Sequence, residues 1–149
     1  MSIEVCNRQR AVRLNLPWLR RFAALALPAT SNHSADGRDA LRRLEEIEVA
    51  LVSDRVIARV HRQFMNIAGP TDVITFDHGE IVISAETARR CAPEYEHSVE
   101  TEIALYTVHG LLHLNGFEDA SPADAARMHE LQGRVWKQCL DQLPSPDSQ

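Results

Sequence analysis

The chain has 149 residues, of which 44% are hydrophobic and 25% charged, and its formal net charge is −5. That length suits one domain, and the apolar content is high enough to offset chain entropy, which excludes a largely disordered chain. The negative total argues against a protein that coats nucleic acid by charge alone.

In chain order, "IEVCNRQRAV" reads as an opening strand with imperfect alternation, followed by "LPWLRRFAALAL" as an amphipathic helix starting near Pro17. Trp18, Phe22 and Leu25 fall on one stripe of that helix, with Leu19 and Ala26 beside it. "PATSNHSADGRD" carries the Pro, Ser, Asn and Gly of a loop. "EEIEVALVS" is a strand through Ile47, Val49 and Leu51, and "SDRVIARVHRQFM" a helix capped by Ser53 and closed by a loop at "NIAGP". "TDVITF" and "EIVIS" are β-branched runs joined only by "DHG", which predicts an antiparallel hairpin. "AETARRCAPE" is a short helix. "SVETEIALYTVHGLLHL" is a longer one, with Ser98 as cap and Glu100 and Glu102 at the positive end of its dipole. Asn115-Gly116 ends it, and "SPAD" opens a last helix, capped at Ser121, that runs to about Leu140. The expected fold is α+β: one domain over residues 1–143, with a small mixed sheet of about four strands flanked by about five helices, then a frayed polar tail over 144–149.

Cys6, Cys91 and Cys139 are odd in number and lack a CxxC spacing, so a reducing cytoplasm fits better than a disulfide framework or a thiolate zinc site. The apolar run "FAALALPA" is too short for the roughly 20 residues that span a bilayer, and the segment before it does not suit a signal peptide. Charge is uneven: 11 Arg face 8 acidic residues up to residue 72, and 5 basic face 13 acidic beyond it. Fifteen of the sixteen basic residues are Arg, a type that forks onto phosphate and stacks on bases, although codon bias in a GC-rich genome accounts for it equally well.

The segment "HGLLHLNGFED", residues 109–119, carries the chemistry. At 3.6 residues per turn, His109 and His113 project from one helix face about 6 Å apart along the axis, where both imidazoles can reach one ion. Gly116 can adopt positive φ, end the helix and turn the chain back, bringing residue 119 toward the histidines. Asp119 thereby takes the third-ligand position of the HExxHxxGxxH pattern, here HxxxHxxGxxD, with Glu118 as a rival. Zinc on three such ligands keeps a fourth position for water, whose pKa it can lower toward about 7. A carboxylate ligand would make the ion less electrophilic than three imidazoles would. The glutamate that serves peptidases as general base is replaced by Gly110, which disfavours a peptidase. Gly110 leaves room either for a bulky substrate or for close helix packing.

At these residues the sequence resembles the YbeY family of bacterial rRNA maturation factors, metal-dependent single-strand endoribonucleases whose signature is HGxLHLxGYDH. His109, Gly110, Leu112, His113, Leu114 and Gly116 match it, and "PTDVITF" followed by "GEIVIS" resembles the family's second block, "PTDVLSF" and "GDIVIS". The similarity runs from about residue 45 to 140. It implies a small mixed sheet flanked by helices and a zinc ion, one per chain, on His109, His113 and a third ligand. Three departures stand out. Asp119 replaces the third family histidine and Glu118 the aspartate before it. Met65 replaces an arginine of the motif "LNxxYRG".

The resemblance implies a cytoplasmic enzyme acting on rRNA or other single-stranded RNA, with the small ribosomal subunit or its proteins as partners. The expected catalytic set is His113 with Arg59 and Arg62, the two arginines standing in for the one missing at Met65. Arg59, Arg62, Thr71 and Ser84 are the expected RNA contacts. Either a metal-activated water or the ribose 2′-hydroxyl attacks the phosphodiester. His78 is a proton shuttle or a solvated turn residue. Two other readings stay open: a non-catalytic ribosome-biogenesis binding factor with a structural or degenerate metal site, and a metallopeptidase.

Overall fold

The computed structural model describes residues 1–35 and 39–147. Among them are four strands, β1 (Ser2–Asn7), β2 (Glu46–Val52), β3 (Val73–Phe76) and β4 (Glu80–Ser84), and five α-helices, α1 (Leu16–Ser31), α2 (Asp54–Met65), α3 (Ala85–Cys91), α4 (Val99–Leu114) and α5 (Pro122–Leu140). Short 3-10 turns lie at Leu41–Arg43 and Ala92–Tyr95.

The strands form one mixed sheet in the order β1-β2-β4-β3. β1 pairs parallel with β2 and β2 with β4, while β3 runs antiparallel to β4 at the edge. The central strands are covered on both sides, which makes them near-continuous apolar runs. Ile47, Val49, Leu51, Ile81 and Ile83 join the main core with α1, α4 and α5. Ala50, Val52, Ile74 and Val82 face the other way and pack under Ile57 of α2. α4 is buried on nearly every side, from Ile103 to Leu114, as a helix apolar all round should be.

The predicted caps form. Ser53, Ser98 and Ser121 each accept a hydrogen bond from the backbone N–H three residues on, at 3.2, 3.1 and 3.1 Å. The β3–β4 turn passes through Gly79 at φ +114°, where an added Cβ would lie 2.7 Å from the Glu46 carbonyl oxygen.

The ends of two elements differ from the sequence expectation. β1 stops at Asn7, because the buried Gln9 side chain accepts from Val12 N–H and donates to the Val12 carbonyl, folding the next residues into a turn. α1 runs through Pro28 to Ser31. Proline removes one hydrogen bond to the carbonyl of Ala24, but Ala24 and Pro28 both face solvent, so water can satisfy that carbonyl while Thr30 and Ser31 extend the buried face. Within the tail, residues 144–146 are held to α1: Trp18 Nε1 donates to Pro144 O at 2.8 Å and Asn15 Nδ2 to Pro146 O at 2.7 Å. Within the expected loop, residues 36–38 lie outside the described residues, as do 148 and 149. No described helix is long and apolar enough to cross a membrane.

Candidate metal centre

His109 and His113 sit on the last turns of α4, and the chain reversal that follows is built from three backbone hydrogen bonds. Asn115 N–H donates to Leu111 O at 3.0 Å, Gly116 N–H to His113 O at 3.0 Å and Phe117 N–H to Leu112 O at 3.0 Å. Together with Gly116 at φ +94°, the last two make a Schellman motif, whose expected apolar contact joins buried Phe117 and Leu112. Asn115 is fully buried and latches the corner: its Oδ1 accepts from Leu41 N–H at 3.1 Å and its Nδ2 donates to the carbonyls of Thr30 and His33.

That corner brings Asp119 to the histidines. The ligand atoms of His109, His113 and Asp119 lie within 4.8 Å of one another, in the one such group of His, Cys, Asp or Glu among the described residues. Nε2 of His113 is 3.1 Å from Nε2 of His109 and 3.7 Å from Oδ2 of Asp119. Both rings are held from behind. His113 Nδ1 donates to the Phe117 carbonyl at 3.0 Å and His109 Nδ1 to Gln132 Oε1 of α5 at 2.7 Å. A carbonyl only accepts, so each Nδ1 carries a hydrogen, which leaves Nε2 as the ring nitrogen that can bind an ion. Burial, and then the neighbouring His109, push the His113 pKa below its ordinary value, with Asp119 pulling partly the other way.

Two ring nitrogens and a carboxylate this close are held together by a proton or a metal cation between them. Nitrogens bound to tetrahedral zinc at about 2.0–2.1 Å stand about 3.4 Å apart, a spacing that 3.1 and 3.7 Å bracket. The donor set therefore fits a divalent ion of the zinc type.

The centre opens into a cleft of about 510 Å³, lined by Met65, Val73 and Thr75 on one side and Phe117 and Glu118 on the other. Glu118 thus borders the cleft but stands outside the converging group. Across residues 4–140 the sequence matches the family model described as Endoribonuclease YbeY. The chain belongs to the YbeY endoribonuclease family. It is 32% identical to Endoribonuclease YbeY of Thermobifida fusca, with 95% of this chain and 98% of that one aligned. To the YbeY of Clavibacter sepedonicus it is 33% identical, over 89% and 91% of the two chains. The solution structure of TM1509 from Thermotoga maritima has the same fold, with a TM-score of 0.58 at 22% identity over 99% of both chains.

Other expected YbeY-like features fall differently. Arg59 and Arg62 are exposed on α2 on the side away from the sheet, and neither lines the cleft; Met65 does. α2 packs on the sheet through Ile57. Thr71 is half-buried at the start of the hairpin. Ser84 is no surface contact: it is fully buried, caps α3 through Thr87 N–H and donates to Asp54 Oδ1 at 2.6 Å. His78 is an exposed turn residue stacked on Phe76, with ring centroids 5.8 Å apart, and does not line the cleft. Gly110 serves packing, since a Cβ there would meet Ile81 Cγ2 at 2.7 Å.

Gln132 escaped the sequence reading. It lies 23 residues from His109 on another helix, and only its half-buried position in an amphipathic helix marks it.

Proposed function

We propose that this protein is a metal-dependent endoribonuclease that cuts single-stranded RNA in the cytoplasm during rRNA maturation and ribosome quality control. The observation that carries the reading is the convergence of His109, His113 and Asp119 at the mouth of a cleft walled by an edge strand. Membership in the YbeY family supplies the RNA substrate. One divalent ion, zinc in the first instance, would polarise a phosphoryl oxygen and acidify a water at the centre.

The chain's own residues do the rest. Gln132 and the Phe117 carbonyl fix each imidazole in one tautomer and orientation, so the donors need no rearrangement before they act. β3 presents Val73, Ile74 and Thr75 along the cleft, a surface against which an extended strand can lie. Arg59 and Arg62, exposed on α2, hold RNA phosphates outside the cleft rather than at the scissile bond. Attack by water and attack by the ribose 2′-hydroxyl differ in product, since only the latter leaves a cyclic phosphate.

Met65 favours a second reading. An uncharged side chain in the cleft wall, where the family motif carries arginine, suits a ribosome-biogenesis binding factor whose metal is structural. Untagged wild type and Asp119→Ala should be compared for bound metal, RNA cleavage and RNA binding. About one equivalent of metal, with cleavage lost on chelation and in Asp119→Ala, supports the nuclease. Tight metal and RNA binding without cleavage supports the binding factor, and cleavage that survives both treatments overturns the metal-dependent reading.

A further inference from the structure

A second cavity, of about 650 Å³, opens on the other side of His109. It lies within the roughly 300–1,000 Å³ typical of ligand sites. His109 and Val73 border both cavities, and His109 faces His113 through Nε2 and bonds through Nδ1 to Gln132, which also lines the second space.

The walls of this cavity are aromatic. Tyr95 stacks on His97 with ring centroids 5.9 Å apart and planes at 19°, and His97 meets Trp136 edge-on at 5.7 Å. The array is braced from behind. Trp136 Nε1 donates to Thr101 O at 3.1 Å, while buried Glu102 bonds His97 through one oxygen and accepts from Tyr106 at 2.8 Å through the other. Tyr95 is nevertheless 67% exposed, so its free face is a ready platform. Asp72 and Glu94 are the remaining acids on the lining, and no Arg or Lys lines it among the described residues.

These features select the occupant. With three acids, three histidines and no arginine or lysine on the described lining, the space suits an uncharged group better than a phosphate. A planar, uncharged group with amino or imino hydrogens gains both aromatic stacking and hydrogen bonds to the acids. We propose that this cavity is a nucleobase pocket, in which the base next to the scissile phosphate leaves the single strand and stacks on Tyr95. The proposal rests on the nuclease reading for the position of that phosphate, through the wall shared at His109. It makes Tyr95 a substrate-positioning residue that touches no metal ligand in the first cleft.

The test uses ten-nucleotide single-stranded RNAs that carry 2-aminopurine at one position at a time, titrated with wild type, Tyr95→Ala and Tyr95→Phe, with cleavage mapped on the same RNAs. Wild type should quench the fluorophore strongly at one position beside the cut. Tyr95→Ala should lose that quench and bind about tenfold more weakly, while Tyr95→Phe keeps both. Quenching that is absent, spread evenly along the RNA, or unchanged in Tyr95→Ala overturns the pocket, whether or not the RNA is cut. A position-specific quench that depends on Tyr95, on RNA that is bound but never cut, sustains the pocket and removes the nuclease reading.

Discussion

Gly110→Ala tests how closely α4 rides on the sheet. A Cβ at this position stands 2.7, 2.9 and 3.0 Å from Cγ2, Cδ1 and Cγ1 of Ile81. Carbon atoms rest at about 3.5–4.0 Å, so helix and strand must part by roughly 0.5–1 Å or Ile81 must leave its rotamer. Ile81 is fully buried and β-branched, which closes the second route. Overpacking of this kind costs about 1–3 kcal/mol, against which the better helix propensity of alanine returns up to about 1 kcal/mol. A net loss of roughly 1–2 kcal/mol should lower the melting midpoint by about 2–8 °C at this chain length. In an Ile81→Ala background all three offending atoms are gone, and the same glycine substitution should become neutral or stabilising. Thermal and urea denaturation of the four proteins completes a double-mutant cycle. Equal effects in both backgrounds, or no loss in the first, would refute the contact. His109 moves with the backbone of residue 110, so weaker divalent-ion binding should accompany the loss of stability.

The other predictions concern single side chains. Gln132→Leu removes the acceptor behind His109 and should weaken zinc binding about 10- to 100-fold in a competition titration with a chromophoric chelator; unchanged affinity would show that the bond is idle. Burial raises the Asp54 pKa, but hydrogen bonds from Arg90, Ser84 and Thr87 outweigh it and bring the carboxyl to about 2. A folded pKa below the unfolded value means that the stabilisation is complete above about pH 4 and lost as pH falls through about 2. The stability gap between wild type and Asp54→Asn in urea, about 1–2 kcal/mol for a side chain 24% exposed, should therefore close between pH 5 and pH 2; a gap constant with pH would contradict the assignment. Met65→Arg places a cation on the cleft wall and should tighten single-stranded RNA binding several-fold, steepening the log–log salt dependence by about 0.7. An unchanged slope would mean that no phosphate reaches that wall.

Much of the site was legible because its parts are close in sequence. His109 and His113 are one helical turn apart, and Gly116 announces the reversal that a Schellman motif then completes. Asp119 follows from that turn, whereas Glu118 has the same chemistry and stands outside the converging group because the corner aims the next residue inward. The element list was readable for a similar reason: serine caps and β-branched runs declare themselves within a few residues. Proline misled at position 28, since whether it ends a helix depends on which face carries the freed carbonyl.

By itself, then, the sequence determined the local pieces: the helix that carries two imidazoles, the glycine that turns the chain, the hairpin and the family to which these motifs belong. Tertiary structure alone decided what meets across the chain. It brought Gln132 behind His109, seated Met65 in the cleft in place of Arg59 or Arg62, buried Ser84 as a cap and opened an aromatic cavity on the far side of the same histidine. Backbone periodicity and caps act over one or two turns and can be read from neighbours. Contacts between α4, α5 and the hairpin depend on how the sheet orients helices distant in sequence, and no short stretch of residues encodes that.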